Sequence, residues 1–563
     1  MQSHIPQNLY QFILDMLCGA ENSSEIPEHI RLRCISVALD LIYCASKSRT
    51  KTAKHVALAI TIKKLTGSKE LIQILNRWGH SISYDDFLAA QTSLAIEQVA
   101  KQELVLNVPP DVTPGIFCQM AADNNDINEH TLDGQTTTHA TTMVVFQKGV
   151  FGPIPKQRVL ATHNKKQRSL SNNAPRTYAN EYKALGKRPS IHDFIGSSAS
   201  LLQPTAVLSP GSSFHQIWVI KRRYGMCSGW SRFIPLVSNY ERDSQMIPTT
   251  VSYCPVLDES PTTYTTVYKV LKYLQSMMSQ VGQDSSVITF DLAIYMKARE
   301  IKFRERDEFQ DVVIRLGGFH IALNYLGVIG KCYESSGIED LLIESGLYGA
   351  STTECVLKGK HYSRGVRTHR LLYEVILGML WESFVNSGVT EPADIALFEE
   401  NMHQDHANLA TADVVSVMDA FRHYREKTGE KSQLSKFWIQ YLDMVEVLFD
   451  FIMAERMSEW EDHLDATKRM IPYFAAMSRP NYARWLPVYA LDMATLAEQF
   501  PDVYHAFTVG KSHTVSRTGQ DFSAVWTDMA LEQTINYDSK TKGWLLRTPK
   551  CIIALYQLYL IRL

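Results

Sequence analysis

The stretch VITFDLAIYMKAREI (residues 287–301) decides the fold of this chain. Its first four residues form an apolar, β-branched run that is too short for a helix and predicts a strand ending at Asp291. Amphipathic segments at 264–280 and 292–301 flank this run, and a second strand-like run follows at 312–314. The order helix, strand, acid, helix, strand predicts a parallel α/β sheet.

Asp291 stands at the carboxyl end of its predicted strand, which is the place where open α/β sheets bind their ligands. A carboxylate at this position is a candidate ligand for Mg²⁺, because this ion takes oxygen donors and often only one or two carboxylates from the protein. The first candidate site residue therefore comes from the same stretch that predicts the fold.

Composition limits the function classes. The chain has 563 residues, 45% hydrophobic and 21% charged, as in globular proteins of several domains. Nine cysteines without a C-x-x-C pair argue against a zinc site or a disulfide framework and favour a cytosolic or nuclear compartment. No signal peptide or membrane-spanning run is recognisable, so we expect neither secretion nor a membrane partner. The net charge of −2 means that any nucleic-acid affinity must come from a local patch.

Changes in hydrophobic period along the chain predict four regions. We expect an N-terminal helical domain, the first part of an α/β core with a basic excursion at 150–190, a helical insertion domain, and a C-terminal part that completes the core. A mixed sheet is predicted in the core, built from strands near 116–147, 214–220, 286–291 and 311–315. The boundaries of the four regions are 1–105, 106–330, 331–510 and 511–563.

Two further acidic positions join Asp291. The predicted strand 116–121 leads to Asp123, with Asp126 close behind, and a second strand at 136–146 completes a hairpin. Asp/Asn-rich segments are equally typical of plain turns, so the turn interpretation stays open. Late in the chain, residues 522–535 predict a helix that carries Asp528 and Glu532 one turn apart on one face.

The basic excursion carries almost only positive charge. Residues 153–189 hold nine basic side chains against a single acid, without an apolar period. A solvated loop would explain this pattern, but the imbalance in a slightly acidic chain favours contact with a polyanion. The residues that we expect to contact nucleic-acid phosphates are Lys165, Lys166, Arg168, Lys187 and Arg188.

The order of these elements resembles the ribonuclease-H-like catalytic domain of DDE/D transposases that an all-helical insertion interrupts, as in the hAT superfamily. The resemblance implies an α/β core plus an all-α part, with Asp123, Asp291 and Glu532 as catalytic and metal-binding acids and Asp126 and Asp528 as alternatives. The segment RLGGFHIALN (315–324) is similar to a helix start of hAT transposases that carries a His and an Asn, here His320 and Asn324 as supporting residues. Cys, usual before that His, is replaced by glycines in this sequence.

Longer stretches resemble a group of large animal proteins thought to derive from transposons. The similarity covers nearly the whole chain. The stretches are KTAKHVALAITIKKLTGSKELIQILNRWGHSISYDD (51–86), ADNNDINEHTLDGQTTTHATTMVVFQ (122–147), VITFDLAIYMKAREI (287–301), VVIRLGGFHIALNYLGVIG (312–330), KGKHYSRGVRTHRLLYE (358–374), NYARWLPVY (481–489) and DMALEQTIN (528–536).

The resemblance implies a nuclear, DNA-binding protein that cleaves or transfers strands with two Mg²⁺ or Mn²⁺ ions and acts as a homodimer or higher oligomer. Two such ions about 4 Å apart stabilise both oxygens of an in-line phosphoryl transfer. The alternative is a catalytically inactive, domesticated transposon-derived protein, since residues 1–105 lack the Cys/His spacing of a zinc finger. A third hypothesis is an RNA-processing nuclease with the same fold.

Overall fold

The structure of the protein is a computed structural model that describes most of the chain between residues 5 and 536. The helices, strands and contacts below refer to these residues alone. The described residues are 5–18, 26–91, 93, 108–109, 111–128, 137–149, 181–196, 198–204, 210–225, 229–237, 247–254, 257, 259–403, 411–477, 479–520 and 522–536.

A mixed sheet of five strands lies at the centre, in the order β3-β2-β1-β4-β5. The hairpin β1–β2 and the pair β2–β3 are antiparallel, whereas β1–β4 and β4–β5 are parallel. The predicted α/β sheet accompanied by helices is thus confirmed at the level of fold class. The strands are β1 (Cys118–Asn128), β2 (Thr137–Lys148), β3 (Thr249–Tyr253), β4 (Ser286–Phe290) and β5 (Val312–Leu316).

The strand order leaves a crevice between β1 and β4. From β1 the chain moves outward to β2 and β3 at one edge, and from β4 it moves outward to β5 at the other edge. Connections that diverge in this way leave space outside the carboxyl ends of the two central strands, which is where such sheets bind ligands.

The predicted strand at 214–220 is wrong. These residues lie in helix α7 (Pro210–Arg223), and the strand that completes the sheet is β3, which the hydrophobic pattern did not indicate. Residues 215–221 are all buried between helices, and a short run that is buried on every side does not distinguish a strand from a helix by its hydrophobic period.

The first hairpin is longer than predicted. β1 continues past Asp123 through the polar segment to Asn128, and its ladder with β2 runs to the pair Asn128 and Thr137. Asp123 therefore lies inside the antiparallel ladder, opposite Thr142, while the parallel ladder to β4 ends one residue earlier. The prediction of a connection starting at Asp123 was wrong because pairing with β2 outweighs the low strand propensity of Asp and Asn.

The predicted helices on either side of β4 are confirmed. α9 (Tyr264–Val281) begins at the Thr263 cap and ends at Gly282, whose φ of 77° suits a residue without a side chain. α10 (Leu292–Arg304) begins directly after β4, and both helices pack against that strand and against each other. The next helix, α11 (Gly318–Cys332), leaves the end of β5.

The N-terminal residues described are helical, as predicted, and their short helices form two small cores of their own. One core joins α1 to α2, and the other lies around Tyr43, Ile72 and Phe87. These helices are α1 (Gln7–Cys18), α2 (Glu28–Ala45), α3 (Ala53–Thr66), α4 (Lys69–Arg77) and α5 (84–91).

Helices α12–α21 make a block whose hydrophobic core is continuous with the sheet. A buried ionic network ties this block to α7, because Glu446 accepts hydrogen bonds from Arg425 at 2.7 Å, Tyr373 at 2.7 Å and Gln216 at 3.2 Å. Within the described part of residues 331–510 the block contains no strand. The helices are α12 (Ile338–Glu344), α13 (Ala350–Leu357), α14 (Tyr362–Val385), α15 (Pro392–His403), α16 (Ala412–Lys431), α17 (Gln433–Met457), α18 (Trp460–Ala476), α19 (Pro480–Ala494), α20 (Leu496–Gln499) and α21 (Pro501–Thr508).

The chain returns to the sheet after α21. Arg315 of β5 donates to the carbonyl of His513 at 2.9 Å, and the Ser516 amide donates to Thr249 of β3 at 2.9 Å. The two-residue strands β6 (Val515–Ser516) and β7 (Ala524–Val525) then lead into α22 (Thr527–Leu531), which ends in one wide π-helical turn, Glu532–Asn536. The predicted helix at 522–535 therefore starts five residues later, because β7 occupies its first residues.

Glycine 330 offers a test of how closely α11 packs on α13. A Cβ at Gly330 would lie 1.9 Å from the carbonyl oxygen of Leu357, so we expect Gly330→Ala to destabilise the fold by about 1–3 kcal/mol. At Gly429 of α16 the nearest atom to an added Cβ is 3.7 Å away, so Gly429→Ala should gain up to about 1 kcal/mol. Thermal unfolding of both variants checks the difference, and equal shifts would contradict this packing.

Candidate functional site

Two of the predicted acids come from neighbouring parallel strands. In the ladder between β1 and β4, Ala122 lies opposite Phe290, and Asp123 and Asp291 are the next residue on each strand. Parallel strands lie about 4.8 Å apart, so the register places the two acids side by side at the mouth of the crevice.

Strand alternation sends both acids toward the same face of the sheet. Ala121 belongs to the apolar cluster under α22, and its register partner Thr289 accepts a hydrogen bond from the hydroxyl of Thr527 of α22 at 3.1 Å. Asp123 and Asp291 lie two residues further along their strands and so share this face. The last helix therefore covers the face on which the acids stand.

Glu532 meets Asp123 from the far end of α22. The two carboxyl groups are hydrogen-bonded, and Asn536 in the π-helical turn donates to Asp123 at 3.1 Å. Burial raises the pKa of Asp123 well above its usual range, and the nearby charges of Glu532 and Asp291 raise it further, while His320 opposes them. An acid that is only 6% exposed and faces two other acids holds a proton more tightly than an isolated one.

Asp528, one turn before Glu532, has a different role from it. Its carboxylate accepts hydrogen bonds from the backbone amides of Phe319 and His320, both at 3.2 Å. These amides belong to the first turn of α11, whose own N-cap residue, Gly317, has no side chain to offer. Asp528 thus caps α11 from another part of the chain, at the positive end of the helix dipole.

The two glycines after β5 make this contact possible. A Cβ at Gly317 would lie 2.3 Å from a carboxylate oxygen of Asp528, and one at Gly318 would lie 2.1 Å from the ring of Trp526. The sequence Gly317-Gly318 is therefore what lets α22 approach the start of α11.

His320 connects the cap to the acids. Its Nδ1 lies 3.0 Å from Asp528. Burial lowers the pKa of His320, but the hydrogen bond and the charge of Asp528, together with the charges of Asp123 and Asp291, outweigh it and raise the pKa to about 9. Because Nδ1 is bonded to Asp528, Nε2 is the ring nitrogen left for another ligand.

Asp123, His320 and Glu532 form a group that could hold a metal ion. One potential ligand atom from each lies within 4.8 Å of the others. Asp291 stands beside this group, and its carboxylate accepts a hydrogen bond from the Ile294 amide at 2.8 Å as the N-cap of α10. Its charge still acts on Asp123 and on His320.

The other predicted site residues are distributed as follows. Asn324 supports His320 by donating to its carbonyl at 2.9 Å and to the Tyr482 hydroxyl at 3.2 Å. Asp126 lies on β1, and its side chain is outside the described atoms. Lys165, Lys166 and Arg168 lie outside the described residues.

The end of the basic excursion is described and is docked on α10. Arg188 forms an ion pair with the buried Glu300 at 2.5 Å, and Arg304 donates to the carbonyl of Lys187 at 3.1 Å. The side chain of Arg188 stays 61% exposed, so the ion pair with Glu300 does not bury it.

Sequence reasoning missed Asn536 and Trp526. Asn536 is fully buried and connects Asp123 to Thr142, whose hydroxyl donates to it at 2.9 Å. Trp526 is the residue against which Gly318 packs. No local pattern indicates either role, since the partners of both residues lie far away in the sequence.

The chain belongs to the family described as a domain of unknown function (DUF8702), which matches residues 229–551, more than half of the chain. Comparison with curated proteins and with solved structures found no match. The matched region contains Asp291, His320 and Glu532, whereas Asp123 comes from the hairpin that precedes it. The sheet pairs that hairpin between β3 and β4, so the structural unit reaches beyond the matched region.

Within the described part of the chain, none of the helices is both long and apolar enough to cross a membrane.

Glu532→Gln tests the repulsion between the acids. The fold raises the pKa of Asp123, so protonated Asp123 stabilises the protein fully below the ordinary pKa of Asp. This stabilisation is lost as the pH rises through the pKa that Asp123 has in the folded protein. Removing the second charge should therefore make the variant more stable than wild type at pH 8 in EDTA, by about 1 kcal/mol, with a smaller difference at pH 5. Thermal unfolding measures this, with exposed Glu498→Gln as control. A less stable variant at pH 8 would contradict it.

His320→Gln tests the bond to Asp528. A pKa of about 9 for His320 in the fold, against about 6.5 in an unfolded chain, stabilises the protein fully below pH 6.5. This stabilisation is lost as the pH rises through about 9. We expect the variant to lose about 2 kcal/mol at pH 6 and much less at pH 10. Thermal unfolding in EDTA is the measurement, and the exposed His423→Gln is the control. A loss independent of pH would argue against a charged His320.

Proposed function

We propose that the protein is a transposase-like, transposon-derived enzyme that carries out metal-dependent phosphoryl transfer on DNA. One observation carries the proposal. Asp123 and Asp291 directly follow the last pair of the parallel β1–β4 ladder, and Glu532 reaches Asp123 from a helix much later in the chain. Acids brought together against their mutual repulsion are typical of sites that bind cations.

The topology supports a ribonuclease-H-like core. An antiparallel hairpin pairs with parallel strands, the first and fourth strands deliver one acid each, and the helical block separates β5 from the last helix with the third acid. The resemblance to hAT-type transposases implies this arrangement. On this proposal residues 331–510 are an insertion into the core and residues 511–536 complete it.

The side chains fit a divalent cation. Asp123 and Glu532 offer oxygens and His320 offers Nε2, all within one small space. Asp528 holds the other ring nitrogen of His320, which is the usual way in which a carboxylate orients a metal-binding imidazole. Two oxygens with one nitrogen suit Mn²⁺ better than Mg²⁺, which prefers oxygen ligands, and the charge of Asp291 beside the group adds to its attraction for a cation.

Each residue of the site would have a distinct role in the reaction. One or two bound ions would stabilise the charge of an in-line phosphoryl transfer. Asp123 would give up its tightly held proton when a cation enters, and His320 would give up the proton on Nε2. Asn536 and Thr142 hold the Asp123 carboxyl in place, and Asp528 fixes the ring of His320.

DNA as the substrate, a nuclear location and a homodimer or higher oligomer complete the proposal. They follow from the resemblance to transposases and from the acids, which suit phosphodiester chemistry. An RNA substrate would use the same chemistry, so both DNA and RNA are needed to identify the substrate.

A second candidate is a catalytically inactive descendant that retains only binding. The N-cap position of Asp291 favours it, because this carboxylate already has a structural partner. Against it, the described Lys and Arg residues form no ion pair with Asp123 or Asp291, whereas a disused acid site is expected to acquire such pairs.

Titration with Mn²⁺ and strand nicking test the two candidates together. We expect wild type to bind Mn²⁺ and to nick supercoiled DNA. Asp123→Asn, Asp291→Asn and Glu532→Gln should each lower nicking by at least about a hundredfold, because even groups that merely orient metal ligands cost 10- to 100-fold. Isothermal titration calorimetry and gel assays measure these effects.

Asp284→Asn is the matched control, since this exposed acid precedes the opposite end of β4. It should bind Mn²⁺ and nick DNA as wild type does. A wild-type protein that neither binds Mn²⁺ nor nicks DNA or RNA would refute the enzyme and leave the binding protein.

A further inference from the structure

A row of arginines lies on the first half of α14. Arg364, Arg367 and Arg370 follow one another at three-residue spacing, which brings each next to the following one on the helix surface. Arg364 and Arg367 are exposed and Arg370 is half-buried. The first turn of α14 has no acidic residue, so the row stands where the helix dipole already disfavours cations.

Two other helices bring further arginines to this row. Burial lowers the pKa of Arg370, and the charges of Arg222 on α7, Arg367 and Arg456 on α17 lower it further. Glu374 opposes them, but it is already engaged by Arg222 at 2.6 Å. Four cations from three helices therefore share one carboxylate.

Some cations on the helical surface do have an acidic partner on their own helix, as Arg422 has in Asp419 and Lys358 has in Glu354. Among the described residues, no carboxylate lies within ion-pair distance of the four arginines Arg364, Arg367, Arg370 and Arg456. A surface that accepts such repulsion in a chain of net charge −2 fits an anionic partner.

The row adjoins the acids through a wall of aromatic rings. Tyr362, at the start of α14, packs edge-on against Phe319 at 5.5 Å and Trp526 at 5.7 Å. Phe319 precedes His320, and Trp526 lies two residues before Asp528. Arg456 is held in place above the ring of Phe522, 5.3 Å from its centre. A strand bound along the arginines would therefore pass beside the site.

We propose that Arg364, Arg367, Arg370 and Arg456 form a binding surface for the phosphodiester backbone of DNA that leads into the acidic site. The surface rests on the proposed function, since it names where that function would hold its substrate. It binds phosphates rather than base edges, because guanidinium groups spread over two helices, α14 and α17, match a charged backbone and not one base pair. It lies on the helical block and not on the basic excursion.

The test compares DNA binding of the full chain in EDTA, so that the outcome does not depend on the metal site. Fluorescence anisotropy with a labelled duplex of about 30 base pairs, and with RNA of the same sequence, gives affinity against NaCl concentration. For Arg364→Ala/Arg367→Ala/Arg370→Ala we expect binding at least about tenfold weaker, with a salt dependence less steep by about 0.9 per lost phosphate contact. The triple Lys variant should retain most of the affinity.

The control removes the same charge elsewhere. Lys427, Lys431 and Lys436 are exposed, and Lys436 lies on the same helix as Arg456 but on the order of 30 Å away by the helical rise. Their triple Ala variant should bind DNA as wild type does. Equal weakening in both triple variants would overturn the proposal, as would a wild type that binds neither DNA nor RNA. Weaker binding together with unchanged Mn²⁺ titration would support the surface even if nicking is absent.

Discussion

The carboxylate of Asp528 at the start of α11 is the contact on which the site depends. It accepts hydrogen bonds from two backbone amides of that helix and lies within hydrogen-bond distance of the Nδ1 of His320. One side chain therefore caps a helix and orients an imidazole. Because it lies on the last described helix, the same contact fixes α22 over the sheet and sets where Glu532 points. The glycines at 317 and 318 leave the room that this contact needs.

The clustered acids destabilise the folded protein when no cation is bound. Asp123 is buried beside two other acids, and its raised pKa shows that the fold disfavours its charge. His320 offsets part of the negative charge, whereas Asn536 and Thr142 position the Asp123 carboxyl without carrying a charge. A protein that holds such an arrangement gives up stability that a plain core would retain, which is typical of functional sites.

The wrong predictions have one cause. The run FHQIWVI is buried on every face from His215 onward because helices surround it, and a run that is buried all round shows neither the period of a strand nor that of a helix. The polar end of β1 was predicted as a connection because Asp and Asn favour turns, yet the ladder with β2 holds it extended. In both places long-range packing outweighed a local preference.

The sequence by itself determined the elements whose signal is local. The strand that ends at Asp291, the helices around it, the helical block and the acids as candidates all follow from period and residue type. Tertiary structure alone decided which acids meet. The register of β1 and β4 places Asp123 and Asp291 side by side after their last pair, and the return of the chain brings Glu532 to the site while Asp528 caps α11. Asp528 and Glu532 are equivalent in the local sequence pattern. Only the position of α11 separates their roles, because the local sequence does not indicate which distant helix end will lie beside a given acid.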